Sequence, residues 1–245
     1  MRLRLPGGED LGSGVIYGEK PAGYWIVTNR HVVQNQTTLC VAGLDRRPEA
    51  ALVLPPVRDP GAAALDVAFL WLPRGTGSPL MVATKSEQPI LSTDLPIVVS
   101  SGYPFEMEMG RNGPYYKEME GLLMPLLKNS LEGGYDLTFM ASIGKGMSGG
   151  GIFVGTRLIG INGVHADPLW RSTWRQVDGK LVDPVLNHKL ELVSMGISVG
   201  TVDGLWRQTS QPSSQQIQFL GKQSCEQPLD EAPIRNQPAS PRGKT

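Results

Sequence analysis

The chain has 245 residues, with 23 basic and 23 acidic side chains, so its formal charge is zero. No basic stripe is available to a phosphate backbone, and nucleic acid is not expected as a partner. No apolar run approaches the roughly 18 residues of a membrane helix, so we expect no membrane span. No signal peptide is evident either. We therefore expect a cytoplasmic location for the chain as written, and a periplasmic or secreted one if a leader is missing.

Glycine and proline are abundant, at 30 and 20 residues, and lie among short β-branched runs. This composition predicts many short strands joined by tight turns, and hence an all-β sandwich or barrel. The first predicted β unit covers about residues 10–75, with strands in GVIYG, YWIVTN, TTLCVAG, ALVLPPV and GAAALDVAFLWLP. A crossover rich in Pro and Gly follows. The second unit covers about residues 90–205, with strands in IVVSSGYP, GLLMPLL, YDLTFMAS, GIFVG, RLIGINGV and ELVSMGISVG.

Two segments of the second half differ from this pattern. Residues 165–189 are too long for a hairpin turn and predict an inserted loop, in which Trp170 and Trp174 pack the loop rather than clamp a substrate. After Trp206 the composition shifts to Gln, Ser and Pro. With so few apolar residues to offset the entropy of ordering, residues 206–245 are predicted to be a disordered tail.

The two cysteines, Cys40 and Cys225, lie far apart in the sequence, and the second is in the polar tail. No disulfide framework is predicted from this usage. The stability of the fold is expected to come from its hydrophobic core. The sequence does not indicate an oligomeric state.

Two polar residues occur next to apolar strands. His31, in VTNRHVV, follows a strand directly and would face a cleft, although alone it is more simply explained as a structural histidine. Asp66 interrupts the apolar run GAAALDVAFLWL. Burying an unpaired carboxylate costs at least several kcal/mol, so Asp66 needs a dedicated partner. That partner is either a backbone amide in a turn or an imidazole N–H.

Ser148 lies in GKGMSGGGIF, with glycines on both sides and a strand directly after it. Glycines permit positive φ and close backbone approach, and two convergent amides form an anion site such as an oxyanion hole. A phosphate-binding loop is disfavoured because Phe139 stands where the Walker pattern requires its first glycine. A plain glycine-rich β-turn remains an alternative.

The three boxes VTNRHVV, LDVAFLWL and GMSGGGIF, with RLIGING after them, resemble those of trypsin-like serine peptidases, closest to bacterial HtrA-like and stand-alone trypsin-like peptidase domain proteins. Their order of His, Asp and Ser is that of the chymotrypsin arrangement. The resemblance implies a double β-barrel over residues 1–205, with the active site in the cleft between the barrels. It further implies a serine endopeptidase acting on protein or peptide substrates through an acyl-enzyme.

The same resemblance assigns roles to individual residues. His31 is the general base, Asp66 its orienting carboxylate and Ser148 the nucleophile. The amides of Gly146 and Ser148 form the oxyanion hole, and the chemistry requires no metal or organic cofactor.

The resemblance also places a substrate pocket. Its base is Ser142, and the substrate-binding strand contributes Asn162, Gly163, Val164 and His165. Since neither an aspartate nor the histidine of glutamate-selective relatives occupies its usual position, uncharged side chains such as Val, Ala or Leu are expected before the cleaved bond. Burying an unpaired substrate charge costs more than an apolar contact returns.

Two positions depart from the family pattern. Gly151 replaces the usual proline, and Met147 replaces the acidic residue that seats a new N-terminus in zymogens, so activation by N-terminal cleavage is not expected. We expect no PDZ-like domain after the barrels. The alternatives are a catalytically silent barrel that binds peptides or partners, a hydrolase of nonpeptide esters, and a structural β-domain in which His31 and Asp66 never meet. His188 has no functional interpretation.

Overall fold

The computed structural model describes residues 1–43, 47–57, 65–75, 79–87, 95–105, 115–166, 173–221 and 223–225. Trp170 and the last 20 residues of the predicted tail lie outside them. Two curled antiparallel sheets dominate the described part of the chain, which confirms the predicted all-β, two-barrel architecture.

Seven strands of the described chain form the first sheet: β1 (Arg2–Arg4), β2 (Asp10–Ser13), β3 (Val15–Lys20), β4 (Gly23–Thr28), β5 (Thr38–Ala42), β6 (Glu49–Val53) and β7 (Ala68–Pro73). Their spatial order is β2-β1-β5-β6-β7-β4-β3. The edge strands β2 and β3 are consecutive in the chain, with only Gly14 between them, so the sheet curls until its edges meet.

The second sheet contains six described strands: β8 (Ile97–Gly102), β9 (Lys117–Leu122), β10 (Leu137–Phe139), β11 (Gly151–Val154), β12 (Arg157–Val164) and β13 (Ser194–Ser198). Their order is β10-β13-β12-β11-β8-β9. Its two edges are joined, because Leu123 pairs with Phe139 and the Met140 amide donates to the Leu122 carbonyl oxygen at 2.9 Å.

Strands such as β4 are apolar throughout because both of their faces are covered. Tyr24 and Ile26 point into the core of the first barrel. Trp25 and Val27, on the opposite face, belong to a cluster that also contains residues of the second sheet. A strand alternates its side chains between two faces, so burial on both sides requires a continuous apolar run. This shared core thus fixes the two sheets against each other.

Three helices lie in the C-terminal part of the described chain: α1 (Pro184–Leu190), α2 (Val199–Trp206) and α3 (Ser214–Leu220). Helix α1 belongs to the predicted inserted loop, where Trp174 packs against the core cluster. No helix in the described ranges has the length and apolar character needed to cross a membrane.

The structure differs from the sequence prediction in the first part of the tail. Ser213 caps α3 in a capping box with Gln216, and Leu220 is buried in the core cluster. A disulfide joins Cys225 to Cys40 on β5, with 5.6 Å between their Cα atoms. The prediction of disorder here and the prediction of no disulfide are corrected, because a cap, one buried leucine and a covalent bond together order a segment of polar composition.

Candidate active site

His31 stands at the start of a single 3-10 turn (His31–Val33) that follows β4. Val32 and Val33 are buried in the core of the first barrel. This burial fixes the turn and leaves the imidazole at the surface, with 48% of its side chain exposed. The two apolar residues after the histidine are therefore what hold it in place.

Asp66 binds His31 at two points. Its Oδ2 lies 2.7 Å from the His31 Nδ1, and its Oδ1 accepts the His31 backbone N–H at 2.9 Å. An ionised carboxylate only accepts hydrogen bonds, so the network assigns the ring proton to Nδ1. His31 Nε2 is left with a lone pair, as a general base requires.

Asp66 has further partners that hold its backbone and its second oxygen. Asn29 Nδ2 donates to the Asp66 carbonyl oxygen at 3.0 Å, and the Asp66 amide donates to the Gly133 carbonyl oxygen at 2.8 Å. The phenol of Tyr135 donates to Asp66 Oδ2 at 2.6 Å. Gly133 and Gly134 both have positive φ, which allows the tight turn that brings this segment of the second barrel to the carboxylate.

Ser148 lies in the turn before β11, where Gly146 and Gly149 adopt φ of 94° and 80°. Its hydroxyl donates to the Gly163 carbonyl oxygen at 3.1 Å. Within the described residues it makes no hydrogen bond to His31. The serine hydroxyl is thus bound to Gly163 and not to the imidazole.

The peptide groups around Ser148 are oriented by their carbonyl oxygens. The Lys145 carbonyl accepts the Phe105 amide at 2.8 Å, and the Met147 carbonyl accepts the Gly150 amide at 3.0 Å. In a trans peptide the N–H points opposite to the C=O. The amides of Gly146 and Ser148 are therefore turned away from these partners, and in the described chain neither donates a hydrogen bond.

The first barrel lies directly against this turn. The Ser13 amide donates to the Ser148 carbonyl oxygen at 2.9 Å. A Cβ at the neighbouring Gly12 would lie 2.8 Å from a Val32 methyl and 3.2 Å from the Ser148 carbonyl oxygen. The histidine turn and the serine turn thus flank one glycine of β2, and Asp66 joins them through its contacts with His31.

The family model described as a trypsin-like peptidase domain matches residues 12–161. The chain belongs to this family. No protein of curated function matches the sequence.

Three solved structures of similar fold are protease structures. The Rv3671c protease in an inactive form has 20% identity and a TM-score of 0.54, with 86% of this chain and 88% of that chain covered. A serine-to-alanine mutant of Rv3671c from M. tuberculosis H37Rv has 20% identity and a TM-score of 0.52, with 87% of this chain and 88% of that chain covered. The HtrA-type protease AlgW with a decapeptide has 20% identity and a TM-score of 0.52. The match covers 81% of this chain and 51% of the AlgW chain, so this chain spans about half of the AlgW chain. At this identity the likeness shows the shared trypsin-like fold.

One residue of this trypsin-like domain that was predicted to bind substrate lies inside the protein instead. Asn162 is fully buried. Its Oδ1 accepts the Ser100 hydroxyl at 2.8 Å, and its Nδ2 donates to the carbonyl oxygens of Ser101 and Met147 at 3.0 and 3.3 Å. A side chain so enclosed cannot meet a substrate, so the prediction is corrected: Asn162 holds the Met147–Ser148 peptide.

Of the other predicted pocket residues of the trypsin-like domain, Gly163 contacts the serine turn. Gly163 accepts the Ser148 hydroxyl, and Val164 and His165 follow it at the end of β12, half-buried. Ser142 is exposed three residues after β10. These four positions stay predicted substrate contacts.

Three residues that the sequence did not reveal complete the site: Ser13, Asn29 and Tyr135. Each acts through a hydrogen bond to a residue far away in the chain. Asn29 lies inside the histidine box VTNRHVV, but no local motif marks Ser13 or Tyr135. The pair of glycines before Tyr135 was the one available signal, since Gly-Gly marks a special backbone turn.

Proposed function

We propose that this trypsin-like domain is a serine endopeptidase in which His31, Asp66 and Ser148 form the catalytic triad. His31 Nε2 removes the Ser148 hydroxyl proton as Oγ bonds to the substrate carbonyl carbon. The carbonyl oxygen becomes an oxyanion, which the amides of Gly146 and Ser148 stabilise. Asp66 fixes the imidazole tautomer and stabilises the imidazolium.

The intermediate then collapses. The C–N bond breaks, the imidazolium proton of His31 goes to the leaving amine, and an acyl-enzyme on Ser148 remains. Water attacks this ester as His31 again accepts a proton, and Ser148 leaves with that proton restored. The Ser148 hydroxyl must rotate from Gly163 toward His31 before the first step, a rearrangement of one side-chain torsion.

The observation that carries the proposal is the two-point contact between His31 and Asp66. It fixes both the position of the ring and the nitrogen that holds the proton, as general-base catalysis requires. The uncommitted amides of Gly146 and Ser148 support the same chemistry at the electrophilic end. Purely structural pairing of His31 with a carboxylate would not require an anion site beside the serine.

Hydrolysis of a quenched peptide library by wild type, Ser148→Ala and His31→Ala tests the proposal. Both variants should lose nearly all activity and retain the fold, and the double variant should be little worse, since members of a triad act as a unit. Ser210→Ala is the matched control, because Ser210 is exposed and lies between α2 and α3. Full activity in folded Ser148→Ala would refute the assignment.

A catalytically silent barrel that binds peptides is the second candidate. The orientation of the Ser148 hydroxyl toward Gly163 favours it, since this rotamer does not present the proton to His31. The two functions differ in one chemical property, the activation of the serine. A silent barrel would not react with a fluorophosphonate, whereas a peptidase would.

For the substrate, we propose an uncharged residue before the cleaved bond, such as Val, Ala or Leu. The proposed pocket base Ser142 carries no charge, and the side-chain amide of Asn162 is hydrogen-bonded inside the protein. Moving an unpaired substrate charge from water into this pocket would cost about several kcal/mol of binding free energy. Cleavage sites in a peptide library dominated by Arg and Lys, or by Asp and Glu, would contradict this specificity.

For the location, we propose an oxidising compartment, periplasmic or extracellular. The support is the bond between Cys40 and Cys225, because disulfides persist mainly in such compartments. The test is alkylation of the protein in cells of its own source before lysis, followed by mass spectrometry. An unmodified cysteine pair is expected, and two alkylated thiols would contradict the proposal.

A further inference from the structure

Tyr135 extends from the second barrel to a carboxylate of the first. Its phenol donates to Asp66 Oδ2 at 2.6 Å, and the same oxygen lies 2.7 Å from His31 Nδ1. Only 8% of Tyr135 is exposed. One carboxylate oxygen thus serves the imidazole and the phenol together, in a site closed to solvent on the tyrosine side.

The space for Tyr135 depends on the absence of a side chain at Gly163. A Cβ built on Gly163 would overlap the Tyr135 ring. The ring fills the volume between this backbone and Asp66, and the Gly163 carbonyl oxygen accepts the Ser148 hydroxyl. Tyr135 therefore touches the backbone next to the serine with its ring and the carboxylate with its hydroxyl.

A second segment supports the tyrosine from the other side. The Trp174 ring packs edge-on against the Tyr135 ring, with 6.4 Å between centroids and 80° between planes. Around it, Leu131 pairs with Gln176, and the Glu132 amide donates to the Arg175 carbonyl oxygen at 2.8 Å. The chain just before Tyr135 is thereby bound to the hairpin of the predicted inserted loop, which restricts the ring to one position.

We propose that Tyr135 is a positioning residue of the triad, which holds Asp66 Oδ2 in line with His31 Nδ1. This inference rests on the proposed peptidase function. Asp66 has two oxygens and only one productive orientation, and the phenol favours that orientation without touching substrate. Burial and the nearby Asp66 charge raise the pKa of Tyr135 above its ordinary value, so its hydroxyl remains a donor while His31 acts as a base. The titratable groups that the described contacts place here are His31, Asp66 and Tyr135.

The test compares Tyr135→Phe with Tyr17→Phe. Tyr17 is a matched control: its phenol also donates to an aspartate, Asp203, at 2.6 Å, on the side of α2. In Tyr135→Phe, kcat should fall about tenfold with KM unchanged, since a hydrogen bond to a charged group contributes at least that factor. The midpoint of its pH–rate profile should move to higher pH, because the carboxylate left with fewer donors attracts the imidazolium more strongly. Tyr17→Phe should change neither kcat nor the midpoint of the pH–rate profile.

A second readout is independent of turnover. With three histidines in the chain, ¹⁵N NMR of histidine-labelled protein resolves the His31 ring nitrogens. Their pH midpoint should move upward in Tyr135→Phe and stay in place in Tyr17→Phe. If the protein proves inactive while this shift occurs, the peptidase function fails and the Tyr135 contact to the pair stands. Unchanged kcat, or an unchanged His31 midpoint in folded Tyr135→Phe, overturns the inference.

The phenylalanine ring keeps the contacts with Gly163 and Trp174, so the variant is expected to fold, which thermal unfolding checks. If Tyr135→Phe does not fold, a measurement on the wild-type protein tests the same contact. The ¹³Cζ signal of Tyr135, assigned through contacts with Trp174, should respond to protonation of His31 across the pH range. A signal that does not respond overturns the inference equally.

Discussion

The hydroxyl of Ser13, on β2 of the first barrel, donates to the carbonyl oxygen of Gly146 at 2.8 Å. It also accepts the Tyr103 amide at 2.9 Å, and Ser13 is 1% exposed. One buried hydroxyl of the first barrel thus joins two segments of the second, directly beside the proposed oxyanion hole.

Ser13→Ala should lower kcat about 10- to 100-fold, less than the roughly 10²–10³ lost when an oxyanion donor itself is removed. The Gly146 carbonyl and Tyr103 amide would lose a buried partner, at a cost of about 1–3 kcal/mol in the free energy of unfolding. Peptide hydrolysis and urea unfolding measure the two effects, with Ser210→Ala as control. An unchanged kcat in Ser13→Ala would contradict this role.

Asn162→Ala should also impair the serine turn, because the Met147 carbonyl would lose its side-chain donor and the Ser100 hydroxyl its acceptor. We expect a drop in kcat with little change in which peptides are cleaved, as befits a residue that meets no substrate. Ser210→Ala, at an exposed serine between α2 and α3, is the control. A cleavage profile that changes while kcat stays constant would restore the substrate-binding role that the sequence predicted.

Truncation after Leu205 should destabilise the protein. It removes α3, the disulfide, and Trp206, whose ring meets those of Tyr17 and Trp25 at 5.5 and 6.0 Å. The disulfide alone closes a loop of 185 residues and typically contributes about 2–5 kcal/mol to stability. Thermal unfolding should show a large decrease in Tm, whereas truncation after Cys225 should leave it nearly unchanged. Equal Tm values for the two truncations would show that the helix and disulfide add nothing.

Asp136 gives the stability a pH dependence of defined sign. Burial raises the pKa of this carboxyl above 3.8, although Ser198 and Thr201 donate hydrogen bonds to it. The folded state thus holds this proton more tightly than the unfolded chain does. Its contribution is fully present below pH 3.8 and is lost as pH rises through the raised pKa.

The comparison of wild type with Asp136→Asn isolates this contribution, because the asparagine does not titrate. As pH rises from 3.8, the free energy of unfolding of wild type should fall relative to the variant. Urea unfolding at a series of pH values measures the difference. A difference that is constant, or that changes in the opposite direction, would contradict the raised pKa.

The strands that sequence analysis located best are those buried on both faces, such as β4 and β7, because continuous apolar runs mark them. β9 was placed too late in the chain: its exposed and half-buried residues alternate in KEMEGL, and the apolar run GLLMPLL begins only at its end. β1 and β2 were missed because they are short and contain few apolar residues. Their order comes from pairing with β5 and with each other.

The site residues divide in the same way, into those that a local sequence pattern marks and those that it does not. His31, Asp66 and Ser148 could be proposed from the sequence because each stands in a local motif. Tyr135 and Ser13 could not, since each acts through a partner distant in sequence, Asp66 and Gly146. The disulfide was missed for a similar reason, because its cysteines are 185 residues apart and composition says nothing about their distance in space.

The most direct measurement is fluorophosphonate labelling of the purified protein, with the modified residue identified by peptide mass spectrometry. An activated nucleophile needs both the hydroxyl of Ser148 and the base His31. The expected result is one adduct on Ser148 in wild type, and none in Ser148→Ala or His31→Ala. No adduct on folded wild-type protein, or labelling of Ser148 that persists undiminished in His31→Ala, would contradict the serine peptidase mechanism.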